Sequence, residues 1–144
     1  MEIITRYYTM SDYEGLFELL NSIYNSNIDK QMLEENYITD KRSIILAVDE
    51  KNHVLGCVFT EIQDDYVRPS RILFITYVAV KESYRRAGIG RMLIRKIEEI
   101  CRSENCSAIE LTSADFRRNA HVFYECMGFT KKKTTVFIKE MEMK

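Results

Sequence analysis

Between residues 85 and 91 the chain reads Arg85-Arg86-Ala87-Gly88-Ile89-Gly90-Arg91, shortly after an apolar Val78-Ala79-Val80 and a polar Lys81-Glu82-Ser83-Tyr84. Arginines clustered around two glycines suit one kind of chemistry, the capture of a phosphorylated ligand. The first N–H groups of a helix lack intrahelical partners and carry about half a positive charge between them, so they donate readily to phosphate oxygens. Without a Cβ, Gly88 and Gly90 admit phosphate to the main chain and accept the positive φ angles of an anion-binding nest. Arg85, Arg86 and Arg91 add charge-assisted, forked hydrogen bonds at the same spot. The spacing is Arg-x-x-Gly-x-Gly, which is neither the Gly-x-Gly-x-x-Gly of a dinucleotide fold nor the Gly-x4-Gly-Lys-Ser/Thr of a P-loop. A tight strand-to-helix turn with solvated arginines would use the same residues, so the surrounding elements matter.

Those elements are a strand ending at Val80 and a helix opening at Gly90. Ile72 to Val80 is a long apolar run. After Gly90, Ile89, Met92, Leu93, Ile97, Ile100 and Cys101 lie on one helical face, with Arg91, Arg95, Lys96, Glu98, Glu99 and Arg102 on the others. Ala108 to Thr112 is the next strand, and the strand-helix-strand order makes it a parallel neighbour with a right-handed crossover. Upstream, Ile3 to Tyr8 reads as an opening strand, and Ser11-x-x-Glu14 is a capping-box pattern before a helix with a stripe of Leu16, Leu19, Leu20, Ile23 and Tyr24. A second helix after Asp29 carries Met32, Leu33 and Tyr37. Ile44 to Val48 and Val54 to Phe59 flank a turn cluster and read as a hairpin covered on both faces, followed by a polar loop from Gln63 to Arg71. Downstream, Arg118 to Cys126 reads as a helix, Gly128 as its C-terminal glycine, and Phe129 to Met141 as closing strands. The expected fold is α/β: a single domain over residues 1–144 with antiparallel strands first and a parallel pair in the middle, flanked by helices.

The 144 residues fit one core, and 21 Lys plus Arg against 22 Asp plus Glu leave a formal charge of −1. Such a balance offers no field toward nucleic acid or an anionic membrane, and neither is an expected partner. Apolar runs fall far short of the ~20 residues that span a bilayer. The N-terminal residues lack a signal peptide's layout, so a cytoplasmic protein is expected. Cys57, Cys101, Cys106 and Cys126 are read as free thiols, with Cys126 pointing into the core. With His53 and His121 the only histidines and no Cys-x2-Cys pair, no metal site is expected.

Taken together, Val78-Ala79-Val80 and the arginine-glycine segment resemble the acetyl-CoA signature of the GCN5-related N-acetyltransferases. A second segment, Asn119-Ala120-His121-Val122-Phe123-Tyr124-Glu125-Cys126-Met127-Gly128-Phe129, is similar to that family's other recurring motif. The resemblance covers Ile72 to Phe129 and implies acetyl-CoA lying in a V between the fourth and fifth strands, where parallel neighbours splay apart. It further implies main-chain bonds from Val78, Ala79 and Val80 to the pantetheine arm and an N–H near a bulge there polarising the thioester. Arg85, Arg86, Gly88, Ile89, Gly90 and Arg91 would hold the diphosphate, Asn119 would touch the cofactor arm, and Tyr124 would sit near the sulfur as the acid that protonates the leaving thiolate. Glu82 stands where many members have proline, a change expected to affect loop rigidity more than chemistry. Many relatives place a glutamate before the Val-x-Val segment, but here that position is Tyr77. Glu61 and Glu110 are the remaining candidates for a general base, and each reads equally as a solvated edge residue.

The function implied is acetyl transfer to a primary amine by direct attack on the thioester. The acceptor could be a polyamine, aminoglycoside, amino acid or aminophosphonate, or a protein N-terminus or lysine. Arg117, Arg118, Ala120, His121, Phe123 and Tyr124 faintly resemble the aminoalkylphosphonate acetyltransferases. The first helices and the Gln63 to Arg71 loop are expected to line the acceptor groove. The alternative is a module that keeps the acetyl-CoA cleft to sense or scaffold without turnover. A homodimer through the closing strands or helices would be ordinary for such a fold.

Overall fold

The computed structural model describes residues 2–142, which fall into two compact units, Met1–Thr112 and Ser113–Lys144. The first holds a five-stranded sheet, β1 (Ile4–Tyr7), β2 (Arg42–Val48), β3 (Val54–Asp65), β4 (Ser70–Val80) and β5 (Ala108–Leu111), with neighbours in chain order. The first four strands pair antiparallel, and β5 runs parallel to β4. The change of direction follows from the connections. Short turns join β2 to β3 and β3 to β4, whereas the return from β4 to β5 needs a crossover helix, α3 (Ile89–Ser103).

β2 and β3 are apolar on both faces because both are covered. On one face, Ile44, Leu46, Cys57 and Phe59 cluster with Leu16, Leu19 and Leu20 of α1 (Tyr13–Tyr24) and Leu33 of α2 (Lys30–Asn36). On the other lies α3, whose Ile89, Leu93, Ile94, Ile97, Ile100 and Cys101 are buried. Ile94 takes the place expected for Met92, which is only half-buried. Truncating Leu93, fully buried in this layer, would cost about 2–5 kcal/mol and loosen the start of α3.

The helix entry is capped at Thr9 and not at Ser11: a 3-10 turn precedes α1 where the Ser11 and Glu14 pattern placed the start of the helix. Residues Met10–Asp12 form a 3-10 turn, and the Thr9 N–H donates to Asp12 Oδ2 over 2.8 Å. Arg6 fixes that carboxylate with two further bonds, 2.7 and 2.9 Å. The guanidinium holds the Asp12 carboxyl below its ordinary range. The polar stretch from Gln63 to Arg71 is likewise not a loop. β3 and β4 continue through Asp64, opposite Arg71, leaving only residues 66–69 to turn. The strands extend because the polar residues pair across them: Arg71 Nε and Lys41 Nζ donate to Asp64 at 2.7 and 3.0 Å.

The second unit contains α4 (Arg118–Cys126), over the range expected. The closing strands expected over Phe129 to Met141 are not formed, since residues 129–142 carry no regular element. Val136, Phe137 and Ile138 stand 77%, 91% and 82% exposed there. β-propensity favours a strand only when a ladder partner and a covered face are supplied. All four cysteines are free thiols, and Cys126 is exposed instead of pointing inward. At the end of a nine-residue helix it faces away from the partly buried stripe of Ala120, His121, Phe123, Tyr124 and Met127. Among the described residues no helix is long and apolar enough to cross a membrane, and no group of three or more metal-ligating side chains is assembled.

Candidate functional site

Within the first unit the site begins where β4 and β5 part. Their parallel pairing covers only Ile72 to Ile75 on β4, and β5 ends at Leu111. At the next residue the β3–β4 register shifts: Phe59 faces Tyr77 and Thr60 faces Ile75, so Thr76 is the extra residue of a bulge. Its hydroxyl donates to the Phe59 carbonyl over 3.3 Å. Thr76 to Val80 therefore continue as a strand paired on the β3 side alone.

Which main-chain groups face the open side follows from ladder alternation. Lys81 N–H donates to the Leu55 carbonyl over 2.8 Å, so the hydrogen-bonded pairs recur at Ala79 opposite Cys57, two residues along. Val78 and Val80 then turn their N–H and C=O groups away from β3. The Val78 carbonyl is met there by Tyr24, whose hydroxyl donates to it over 2.9 Å. Ala79, by contrast, points its main chain inward toward β3 and its side chain into the α1 core. Of these three residues, Val78 and Val80 offer backbone bonds on the open side.

Beyond Val80 a short 3-10 turn, Glu82–Tyr84, carries the chain to the arginines. Arg86 has φ 69° and Gly88 φ 82°, so two left-handed residues flank Ala87. Gly88 is the N-cap of α3, and the Met92 N–H makes the first helical bond, to the Gly88 carbonyl at 3.0 Å. The N–H groups of Ile89, Gly90 and Arg91 precede that ladder. Nothing lies within 4 Å of where a Gly88 Cβ would stand. Arg85, Arg86 and Arg91 are exposed, and among the described residues none of the three has an ion-pair partner. These features fit a diphosphate. Only the main chain of Ile89 is open to a ligand there, because its side chain is buried 2.9 Å from the position a Gly56 Cβ would take. That close approach keeps the first turn of α3 pressed on β3.

On the α1 face, beside the same end of β4, a cleft of about 900 Å³ opens between the α1–α2 connection and β3 and β4. Tyr24, Phe59 and Tyr77 form a row in it, with centroid spacings of 5.5 Å between the two tyrosines and 6.1 Å between Tyr77 and Phe59. Glu61 lines it too, with Oε2 3.6 Å from Arg42 Nε. Glu110, the other proposed base, sits on β5 opposite Phe74 and is absent from the lining. None of residues 63–71 lines the cleft, so the expected contribution of that stretch is not found. Tyr24 and Arg42 were missed as cleft residues. Tyr24 closes the apolar stripe of α1 and reads as core, but it is 41% exposed.

In the second unit, Asn119 is exposed in the first turn of α4, and Tyr124 is half-buried in its last. Helix α4 ends in a Schellman motif: the Gly128 N–H donates to the Glu125 carbonyl and the Phe129 N–H to that of Tyr124, both at 3.0 Å, with Gly128 at φ 95°. The Tyr124 ring packs edge-on between Phe123 and Phe129. The ring of His121 bonds through Nε2 to the Ala114 carbonyl over 2.9 Å, which places it in local structure.

The family model described as "Acetyltransferase (GNAT) family" matches residues 10–129. Human N-acetyltransferase 8 is 24% identical over 109 residues, 76% of this chain, which spans only 48% of that protein. Aminoglycoside N(6')-acetyltransferase type 1 of Acinetobacter genomosp. 13 is 23% identical over 135 residues and 91% of each chain. The crystal structure of an aminoglycoside 6'-N-acetyltransferase from Acinetobacter baumannii shares the fold at a TM-score of 0.83 and 18% identity, covering 99% of this chain and all of the other. With the family model spanning most of the chain, and the split strand and glycine-capped helix in place, the protein belongs to the acetyltransferase (GNAT) family, enzymes whose co-substrate is acetyl-CoA.

Proposed function

We propose that the whole chain works as one N-acetyltransferase domain that moves the acetyl group of acetyl-CoA to a primary amine, of a small molecule or of a protein. The observation that carries this reading is the outer edge of β4: Val78 and Val80 present backbone groups on the side that β5 leaves open, and the strand leads directly into the Gly88 nest. Backbone donors and acceptors there suit an amide-bearing arm, and the nest with Arg85, Arg86 and Arg91 suits its diphosphate. The Val78 carbonyl accepts from the Tyr24 hydroxyl and keeps a second lone pair with which to pair the arm.

In the transfer, an N–C bond forms as the C–S bond breaks; the amine gives up a proton and the leaving thiolate takes one. An amine with a pKa near 10.4 is neutral in only about one molecule in two thousand five hundred at pH 7. Glu61, at the cleft with Arg42 as its charge partner 3.6 Å away, is our candidate to accept the amine's proton. Tyr124 is our candidate acid for the thiolate; its ring is clamped by Phe123 and Phe129, which supports a fixed hydroxyl. Asn119, one helical turn and more before it, is assigned to the cofactor arm.

Acetyl-CoA-dependent thiol release against a panel of primary amines tests the reading, with wild type beside Tyr124→Phe and Glu61→Gln. Turnover on one amine that falls ~10²-fold in each variant, with acetyl-CoA affinity unchanged, is the expected result. Undiminished turnover in a variant removes that residue from the mechanism. Acetyl-CoA binding without release on any amine or peptide would turn the reading toward a sensing module.

A further inference from the structure

Three large aromatic rings stand together on one wall of the cleft, and two of them are exposed: Tyr24 at 41% and Tyr77 at 54%. Rings held in edge contact yet left open to water in a concave site mark a surface that a ligand covers. The charged lining is sparse. It consists of the carboxylates of Asp29 and Glu61 and the guanidinium of Arg42. Asp29 Oδ1 already accepts the Met32 N–H at 2.9 Å as the cap of α2, and Glu61 is engaged by Arg42. A net of one negative charge remains to meet a cation.

Resting on the acetyltransferase reading above, we infer that the acceptor is a monoamine with an aromatic body, an arylalkylamine in chemical class, and not a polycation such as a polyamine or an aminoglycoside. One ammonium matches the net charge of the lining. A polycation would bring further charges past mostly apolar walls, beyond the single net negative charge that the lining can balance. An aromatic ring buries roughly 150–250 Å² and prefers offset or edge contacts, the geometry that the Tyr24, Tyr77 and Phe59 row already uses. Tyr77 also adjoins Val78 in the strand. A body packed on Tyr77 therefore holds its amine beside the open edge of β4.

Calorimetric titration of the full chain with 2-phenylethylamine, spermidine and kanamycin tests this directly, with acetyl-CoA turnover measured separately on the same three amines. The expected result is a Kd for 2-phenylethylamine at least tenfold below those of the two polycations. Tyr77→Ala should raise that Kd about tenfold or more, and Tyr24→Phe, which keeps the ring, should preserve the preference. Equal or tighter binding of spermidine or kanamycin, no binding of any amine, or a preference unchanged in Tyr77→Ala overturns the inference. Turnover confined to the polycations also overturns it while leaving the transferase reading intact. Selective binding of 2-phenylethylamine with no turnover on any amine would support the cleft's class and sink the transferase reading.

Discussion

The Phe129 N–H donates to the Tyr124 carbonyl over 3.0 Å, and the two rings meet edge-on with centroids 5.7 Å apart. The glycine between them makes this closure feasible, because Gly128 sits at φ 95° with open space where a Cβ would be. The cost of a side chain there is backbone strain alone. Gly128→Ala is expected to destabilise by about 1–2 kcal/mol, read as a lowered Tm. An unchanged Tm would mean that the Schellman closure contributes nothing to holding Tyr124.

Arg86 combines a left-handed backbone, φ 69°, with an exposed guanidinium in the proposed diphosphate nest. Strain at such a position and use in binding predict effects of opposite sign. Arg86→Gly relieves about 1–2 kcal/mol of left-handed strain and adds about 0.5–1 kcal/mol of chain entropy to the cost of folding, for a net gain between about zero and about 1.5 kcal/mol. Its affinity for acetyl-CoA should fall about tenfold or more, as expected for a lost charge-assisted bond. Denaturant unfolding and calorimetry read the two numbers; a variant weaker in both would refute the strain argument.

Gly56 sets how closely α3 approaches the sheet. A Cβ there would lie 2.9 Å from Ile89 Cγ2, 3.1 Å from the Ala79 carbonyl and 3.2 Å from Leu93 Cδ1. Gly56→Ala must push the first turn of α3 outward, at a cost of about 1–3 kcal/mol. Because that turn carries the nest, acetyl-CoA affinity should fall with stability. A variant with lowered Tm and unaltered affinity would show that the nest does not depend on this contact.

Three buried or paired groups give the stability a pH dependence. Burial pushes the Cys57 thiol from 9.0 to about 12. Its contribution is therefore complete below pH 9 and is lost as pH rises from 9 toward 12, by at most about 1.4 kcal/mol per pH unit. Tyr8, raised by burial and by its bond to Glu34, acts in the same direction. Asp64 is held at about 2 by Arg71 and Lys41, so its contribution is present above its unfolded value near 3.8 and fades as pH falls through 2. Unfolding midpoints measured across pH should fall at both ends, less steeply on the alkaline side in Cys57→Ala and on the acid side in Asp64→Asn. Parallel curves for wild type and variant would contradict the assignment.

The elements that position the site were legible because they repeat. The 3.6-residue stripe of α3, the apolar runs of β2 to β4 and the Arg-x-x-Gly-x-Gly spacing each point to one structure, and all three were found. Errors fell where one signal served two structures. Asp64 and Arg71 read as loop polarity but form a cross-strand pair. Ser11 and Glu14 carry a capping pattern, yet Asp12, with its shorter side chain tied to Arg6, caps Thr9 instead. Tyr24 followed the α1 stripe in period but lies at the helix end, beyond the core, where it reaches Val78. The alternation that turns Val78 and Val80 outward depends on strand register, which a run of valines does not disclose.

We propose that the open edge of β4 and the nest before α3 together hold acetyl-CoA. Backbone hydrogen exchange with and without acetyl-CoA, read residue by residue, tests it most directly. Protection gained at Val78, Val80 and the N–H groups of Gly88 to Arg91, with β1 and β2 unchanged, is the predicted result. Binding that protects another surface, or no protection anywhere along residues 76–91, would contradict the account.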